Sequence, residues 1–306
     1  MNVTTPGRLA AAPRGGTEPD RETRIGFGPL TAPHPLVARG DLSPGDCVSS
    51  FAGRAKRGGA TEMTDLADLS ARDLATRIRR KEVSPVDAVR AALARIEARR
   101  ELNAFITVCA DQALDAARRA EAEVMAGAKL PPLHGVPFSV KDLTLTSGVR
   151  TTMGSRLYED FVPQADALPV ARAKAAGALL IGKTTTPEFG HKQGADAPIF
   201  GRTLNPFDAR FMCGASSSGA AVAVATGMGP LALGTDGGGS IRIPASCCGI
   251  VGLKPTLGAI ANLQPPDLFT ANSYVGPMAR DVADTALLYE ALRGGDTRDP
   301  YGQAPT

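Results

Sequence analysis

Ser240 stands directly behind three consecutive glycines, Gly237, Gly238 and Gly239, in the run Gly234-Thr-Asp-Gly-Gly-Gly-Ser-Ile-Arg242. Glycine lets the backbone curl so that several N–H groups converge on one point. A hydroxyl behind such a nest is set to attack a carbonyl whose oxygen rests in the nest. Residue types alone thus suggest Ser240 as a nucleophile, with the N–H groups of Gly237, Gly238, Gly239 and Ser240 as an oxyanion hole. Upstream, Gly214-Ala-Ser-Ser-Ser-Gly219 runs into the helix-forming stretch Ala220–Ala225. It presents hydroxyls at a helix N-terminus, where backbone N–H groups favour negative charge.

A serine nucleophile needs a base. His34, His134 and His191 all lie upstream of Ser240 and in no recognisable motif. Lys141, in Gly135-Val-Pro-Phe-Ser-Val-Lys-Asp142, follows an apolar strand, a setting that buries an amine and disfavours its charged form. Lowering a lysine from ~10.4 to ~7 costs roughly 4.6 kcal/mol, tolerable only if the fold enforces it. Residue types leave both readings open: Lys141 as base, or Lys141 paired with Asp142 or solvent.

Several other patterns carry less. Gly177-Ala-Leu-Leu-Ile-Gly-Lys-Thr184 matches the GxxxxGK[ST] phosphate loop letter for letter. Its strand-forming residues sit inside the motif, however, and Thr185-Thr186-Pro187 is a poor helix opening, so nucleotide binding is rejected. Ala215–Gly219 faintly resembles a nucleophile elbow, but no histidine lies downstream to complete it. Asp236 and Arg242 flank the glycine nest and are expected to be structural partners rather than substrate binders. Cys247 and Cys248 lie close to Ser240, with no thiol chemistry expected of them.

The elements that must position these residues alternate between helix and strand. Ser70 and Ser84 read as helix N-caps, the second with Pro85 at the first helical position. Val86, Val89, Ala92, Leu93 and Ile96 recur at helical spacing. Helices are expected at 110–126, 168–176, 217–225, 244–250 and 281–292, and strands at 136–140, 179–181 and 231–234. This is an α/β pattern, a mixed β-sheet core flanked by helices. It ends in Gly294-Gly295-Asp296 and a polar tail, with no closing strand expected.

Residues 1–62 differ, with seven prolines and ten glycines, and read as a low-complexity, disordered extension. The organised domain is expected over 63–306, with Met63 as the true start. Composition excludes several classes. A net charge of +3, spread thinly, offers no basic face for nucleic acid, and Trp is absent. Five cysteines without CxxC spacing argue against a disulfide framework or zinc site. No HExxH occurs, no apolar run approaches a membrane span, and the N-terminus has no signal-peptide core. A cytoplasmic location, no membrane partner and no metal or organic cofactor are expected.

Three blocks, Gly135–Asp142, Gly214–Gly227 and Gly234–Thr256, resemble the amidase signature family, and Gly182–Gly190 matches a segment flanking that family's active site. The resemblance covers about 63–296. It implies that Lys141, Ser216 and Ser240 form a Ser-Ser-Lys triad, with Ser216 a proton relay on a cis peptide, and that a small-molecule amide is the substrate. The assembly expected is a homodimer. Gly214-Ala215-Ser216-Ser217-Ser218-Gly219 departs from the family's Gly-Gly-Ser-Ser-Gly-Gly at Ala215 and Ser218. Family members also run on past residue 306, which implies a truncated chain, its fold incomplete at the C-terminus, and leaves an inactive remnant as one reading. Another is the A subunit of a tRNA-dependent glutamine amidotransferase, opposed by Thr185 and Thr186 where Asn-Met is more usual.

Overall fold

The computed structural model describes residues 65–263 and 272–302. The expected extension, 1–62, lies outside the described residues, as does Cys47. The two capped helices form as their sequences dictate. Ser70 Oγ accepts from Asp73 N–H at 3.0 Å ahead of α1 (Ala71–Arg79). Ser84 Oγ accepts from Val86 and Asp87 N–H ahead of α2 (Pro85–Ala98), with Pro85 at the first helical position. The alanine-rich α3 covers Ala110–Met125, α4 covers Leu168–Ala175, α5 Ser218–Ala225, α6 Arg242–Cys247 and α7 Val282–Leu292. Asp281 caps α7 by accepting from Asp284 N–H at 2.8 Å.

The main sheet is mixed. It contains β1 (Phe105–Val108), β2 (Pro137–Lys141), β3 (Leu179–Thr184), β6 (Leu231–Asp236), β7 (Val251–Gly252) and β8 (Tyr274–Ala279) in the order β1-β3-β2-β6-β8-β7. Between β3 and β6 in the chain lies a separate small hairpin of β4 (Asp196–Ala197) and β5 (Gly201–Arg202). Strand β2 is central and parallel to both β3 and β6, while β1, β8 and β7 add antiparallel pairings at the two sides. All five residues of β2 are buried, as a parallel strand covered on both faces requires. One apolar cluster joins α2, α3 and α5 to Ile181, Ala232 and Met278; the other joins α1, α4 and α7 to Phe138, Val140, Leu231 and Leu233. Helices thus cover both faces.

Among the described residues five strands escape the sequence pattern: the two-residue β4, β5 and β7, and the longer β1 and β8. Phe105–Val108 is short and half-buried, and Tyr274–Ala279 carries Gly276 and Pro277, residues that argue against a strand. Pro277 O accepts from Leu253 N–H at 3.0 Å, so its missing N–H faces the β7 side and removes no bond to β6. Strand β3 also runs past the expected Ile181 to Thr184, so the GxxxxGK[ST] lysine lies in a strand and not in a phosphate loop. The short helix before Ile250 begins earlier than expected, at Arg242. The Gly294 region is not loose: Ala261 N–H donates to Gly294 O, Gly294 N–H to Ala259 O, and the Arg172 guanidinium to the carbonyls of Leu292, Gly294 and Gly295.

Close approach of α5 to the sheet depends on a missing side chain. A Cβ on Gly219 would stand 2.3 Å from Ala104 O and 2.4 Å from Thr185 N, both backbone atoms that cannot swing away. Gly219→Ala is expected to destabilise the protein by about 1–3 kcal/mol through overpacking. Urea denaturation checks this, as a shifted midpoint at unchanged slope.

Candidate active site

Four loops meet where the central strands end. β2 closes on Lys141, β6 on Asp236, the serine loop precedes α5, and the segment after β3 runs through Gly190. Clefts beyond the carboxyl ends of parallel strands are where such sheets place their chemistry. Lys141 has no exposed surface, Ser216 is 2% exposed and Ser240 7%. Lys141 Nζ lies 2.6 Å from Ser216 Oγ and 2.8 Å from Thr235 Oγ1. The peptide Ala215–Ser216 is cis.

Ser216 and Ser240 are joined through backbone rather than by their hydroxyls. Ser217 N–H donates to Ser240 O at 3.1 Å. Ser217 Oγ also donates to Thr235 O at 3.1 Å and accepts from Thr235 N–H at 3.2 Å. One residue, through its hydroxyl and its backbone amide, therefore ties the serine loop, the end of β6 and the Ser240 turn together. The residue pattern assigns no role to Ser217 or Thr235; adjacency to Ser216 and Asp236 is the only signal that points to them. Ser218 Oγ is buried and has no hydrogen-bond partner among the described residues.

The expected pairing of Asp236 with Arg242 is present: Arg242 Nε donates to Oδ2 and Nη2 to Oδ1, each at 2.9 Å. The carboxylate also accepts from Gly239 N–H at 2.8 Å and Ile241 N–H at 3.1 Å. Burial alone would raise this carboxyl, but Arg242 and the N–H groups of Ile241, Gly239 and Arg242 outweigh it and bring it to about 2. Asp236 thus folds the turn that presents Ser240. It also occupies one N–H of the glycine nest: Gly239 N–H points at the carboxylate. Among the described residues no acceptor takes the N–H of Gly237, Gly238 or Ser240.

Lys141 does not pair with Asp142. The neighbouring Asp142 accepts from Thr152 N–H at 2.8 Å and lies 3.3 Å from the Lys183 ammonium. No carboxylate forms an ion pair with Lys141 among the described residues. Burial drives the Lys141 amine well below the usual lysine range, and the charge of Asp236 opposes this only in part. The other candidate groups stand apart. His134 packs against Ala120 O at 2.9 Å, and His191 contacts Glu188 O. Cys248 is buried, which pushes its thiol up, and it donates to Cys213 O. A cavity of about 500 Å³, lined by Gln112, Arg119, His134 and Lys174, is bordered by none of Lys141, Ser216 and Ser240. No group of three His, Cys, Asp or Glu side chains suited to a metal ion occurs among the described residues, and no described helix is long and apolar enough to cross a membrane.

The sequence and the mixed sheet with its flanking helices match a known group of proteins. The amidase family model matches residues 87–306, and the chain belongs to the amidase signature family. It is 45% identical over 236 residues to the A subunit of the glutamyl-tRNA(Gln) amidotransferase of Geotalea daltonii, covering 77% of this chain and 48% of that one. An acylamidase of Rhodococcus erythropolis is 42% identical over 233 residues, 76% and 49% of the two chains. Among solved structures, a bacterial aryl acylamidase of the amidase signature family superposes with a TM-score of 0.75 at 35% identity, covering 78% of this chain and 50% of that one. The peptide amidase of Stenotrophomonas maltophilia gives 0.74 at 34% identity, covering 78% and 51%. The chain spans about half the length of the relatives it matches.

Asp236 holds its proton less tightly folded than unfolded, so its stabilisation is present above ~4 and lost as pH falls toward about 2. Asp236→Asn is expected to lower the melting temperature at neutral pH, with the gap to wild type closing between pH ~4 and ~2. Thermal melts across that range measure it.

Proposed function

We propose that this chain carries an amidase active site, borne by residues 63–306, that hydrolyses a carboxylic acid amide to acid and ammonia or amine. Neutral Lys141 accepts a proton from Ser216, which takes one from Ser240 as Ser240 Oγ attacks the carbonyl. The N–H groups of the Gly237–Ser240 turn receive the oxyanion; those of Gly237, Gly238 and Ser240 have no competing acceptor among the described residues, whereas Gly239 must first release Asp236. The relay returns the proton to the leaving nitrogen, and water then cleaves the acyl-enzyme. None of these steps needs a metal or an organic cofactor.

The observation that carries this reading is the 2.6 Å contact between a fully buried Lys141 and Ser216 Oγ. A lysine so placed, paired by no carboxylate among the described residues and held by burial well below the usual lysine range, can give up its proton more readily than a free lysine and serve as a base. The resemblance to acylamidases and to a peptide amidase supports a small amide as substrate. A homodimer is the assembly expected alongside this reading; sedimentation velocity measures it.

A second reading is favoured by identity: several of the most similar relatives are amidotransferase A subunits. There the same chemistry would release ammonia from glutamine for a partner subunit. Thr185 weighs against it, being held within the fold against Thr203 Oγ1 at 2.6 Å, where those subunits more usually carry asparagine. Glutaminase activity that appears only with added partner subunits would favour it.

Ser240→Ala is expected to lower kcat toward aryl amides on the order of 10⁵–10⁶-fold while leaving the fold intact. Near-wild-type turnover in the folded variant would sink the assignment. Because Lys141 acts in its neutral form and its amine is held far below the usual range, kcat/KM should rise as pH climbs through that lowered value and fall below it. A pH–rate profile with acetamide or an anilide shows the limb.

A further inference from the structure

A second lysine is buried as deeply as the first. Lys183, the penultimate residue of β3, has no exposed surface. In the sheet register Val140 pairs with Lys183 and Lys141 with Thr184, neighbouring positions that face opposite sides of a pleat. The two lysines share no partner. Lys183 Nζ donates to Thr144 O at 2.8 Å and Thr151 Oγ1 at 2.7 Å, and lies 3.3 Å from Asp142 Oδ1. All three oxygens come from one loop, the one that leaves Lys141.

We propose that Lys183 is a positioning residue for the amide-hydrolysing site, a fixed internal cation around which the loop from Asp142 to Thr152 is folded. The proposal rests on the hydrolase reading of Lys141, Ser216 and Ser240. A chain of contacts leads from the ammonium to the relay serine. Asp142 Oδ2 accepts from Thr152 N–H and Oγ1 at 2.8 and 2.5 Å, and Thr144 N–H returns to Lys141 O at 3.0 Å. Met153 N–H donates to Asp142 O at 3.1 Å, and Met153 O accepts from Phe189 N–H at 2.8 Å. Gly190 follows, so close that a Cβ there would stand 3.1 Å from Ser216 Oγ. Removing the cation would loosen the loop that starts at the base and the turn that walls the relay.

The two lysines also differ in charge partners. Lys183 faces Asp142 directly, with Cys109 at the start of α3 and Asp166 ahead of α4 nearby; among the described residues Lys141 faces only the charge of Asp236. Burial lowers Lys183, but Asp142 limits the fall to about 8. At neutral pH Lys183 therefore keeps the proton that Lys141 must lose. A buried ion pair can often be replaced by apolar or neutral groups with little loss of stability, so holding the loop is a better reason for this one than stability.

The test uses the full chain and p-nitroacetanilide. Lys183→Met alone should melt at lower temperature, because Asp142 is left buried without its cation. Lys183→Met/Asp142→Asn should recover most of that loss, yet kcat should stay about 10–100-fold down with KM within about threefold, the mark of a misplaced catalytic group. Full recovery of kcat with the melting temperature would overturn the proposal. Thr151→Val, which removes one acceptor without exposing a charge, should lower kcat about 3–10-fold, the size of one lost hydrogen bond; wild-type kcat there would overturn it as well. Hydrogen exchange of the Thr144 and Met153 amides needs no turnover. Exchange about tenfold faster in the double variant than in wild type supports the proposal, and equal exchange overturns it. A wild-type chain that exchanges as expected but hydrolyses no amide, and does not label with a fluorophosphonate, counts against the hydrolase reading alone.

Discussion

Burying a lysine without giving it a carboxylate is the constraint on which this site is built. An ammonium taken out of water loses several kcal/mol of hydration, and most buried lysines recover it from an ion pair. Lys141 has no such pair among the described residues. Its contacts are two hydroxyls, Ser216 and Thr235, which serve a neutral amine as well as a charged one. The nearby acids are committed elsewhere. Asp236 is held by Arg242 and by the amides of its own turn, and Asp142 by Thr152 and Lys183. In the proposed mechanism a side chain that is normally a permanent cation becomes a base, because each candidate partner is already claimed by another group.

That division of charges depends on strand order. Parallel pairing of β2 with β3 and with β6 brings Lys141, Thr184 and Asp236 to the same end of the sheet, although they lie far apart in the chain. The loops leaving that end then meet without further guidance. Ser217 fixes their spacing, since its hydroxyl and amide together contact Thr235 and Ser240. Small residues allow the approach. Gly214, with φ +74° and a missing Cβ that would stand 2.6 Å from Pro244, lets the serine loop lie directly against α6.

Much of this is legible in the residues. Ser70 and Ser84 each mark a helix start, because a cap is a local hydrogen bond between a side chain and amides two or three residues on. The apolar stretch ending at Lys141 reads as a strand, and the glycines before Ser240 read as a turn of exposed amides. Strands β1 and β8 are hidden. The first is too short and half-buried to show a period, and the second carries Gly276 and Pro277, whose cost is met by neighbours remote in sequence.

The residues alone supply the chemical inventory: a serine behind a glycine nest, a lysine at the end of an apolar strand, and no histidine able to replace it. They also carry the family pattern that links those two to Ser216. Which acid goes with which base is settled by tertiary contact instead. Asp142 follows Lys141 in the chain, and adjacency suggests a pair. The strand ends at Lys141, whose side chain meets Ser216, and Asp142, the first residue of the loop beyond it, meets Lys183 instead. Pairing across a sheet is set by register between distant segments, which no local run of residues encodes.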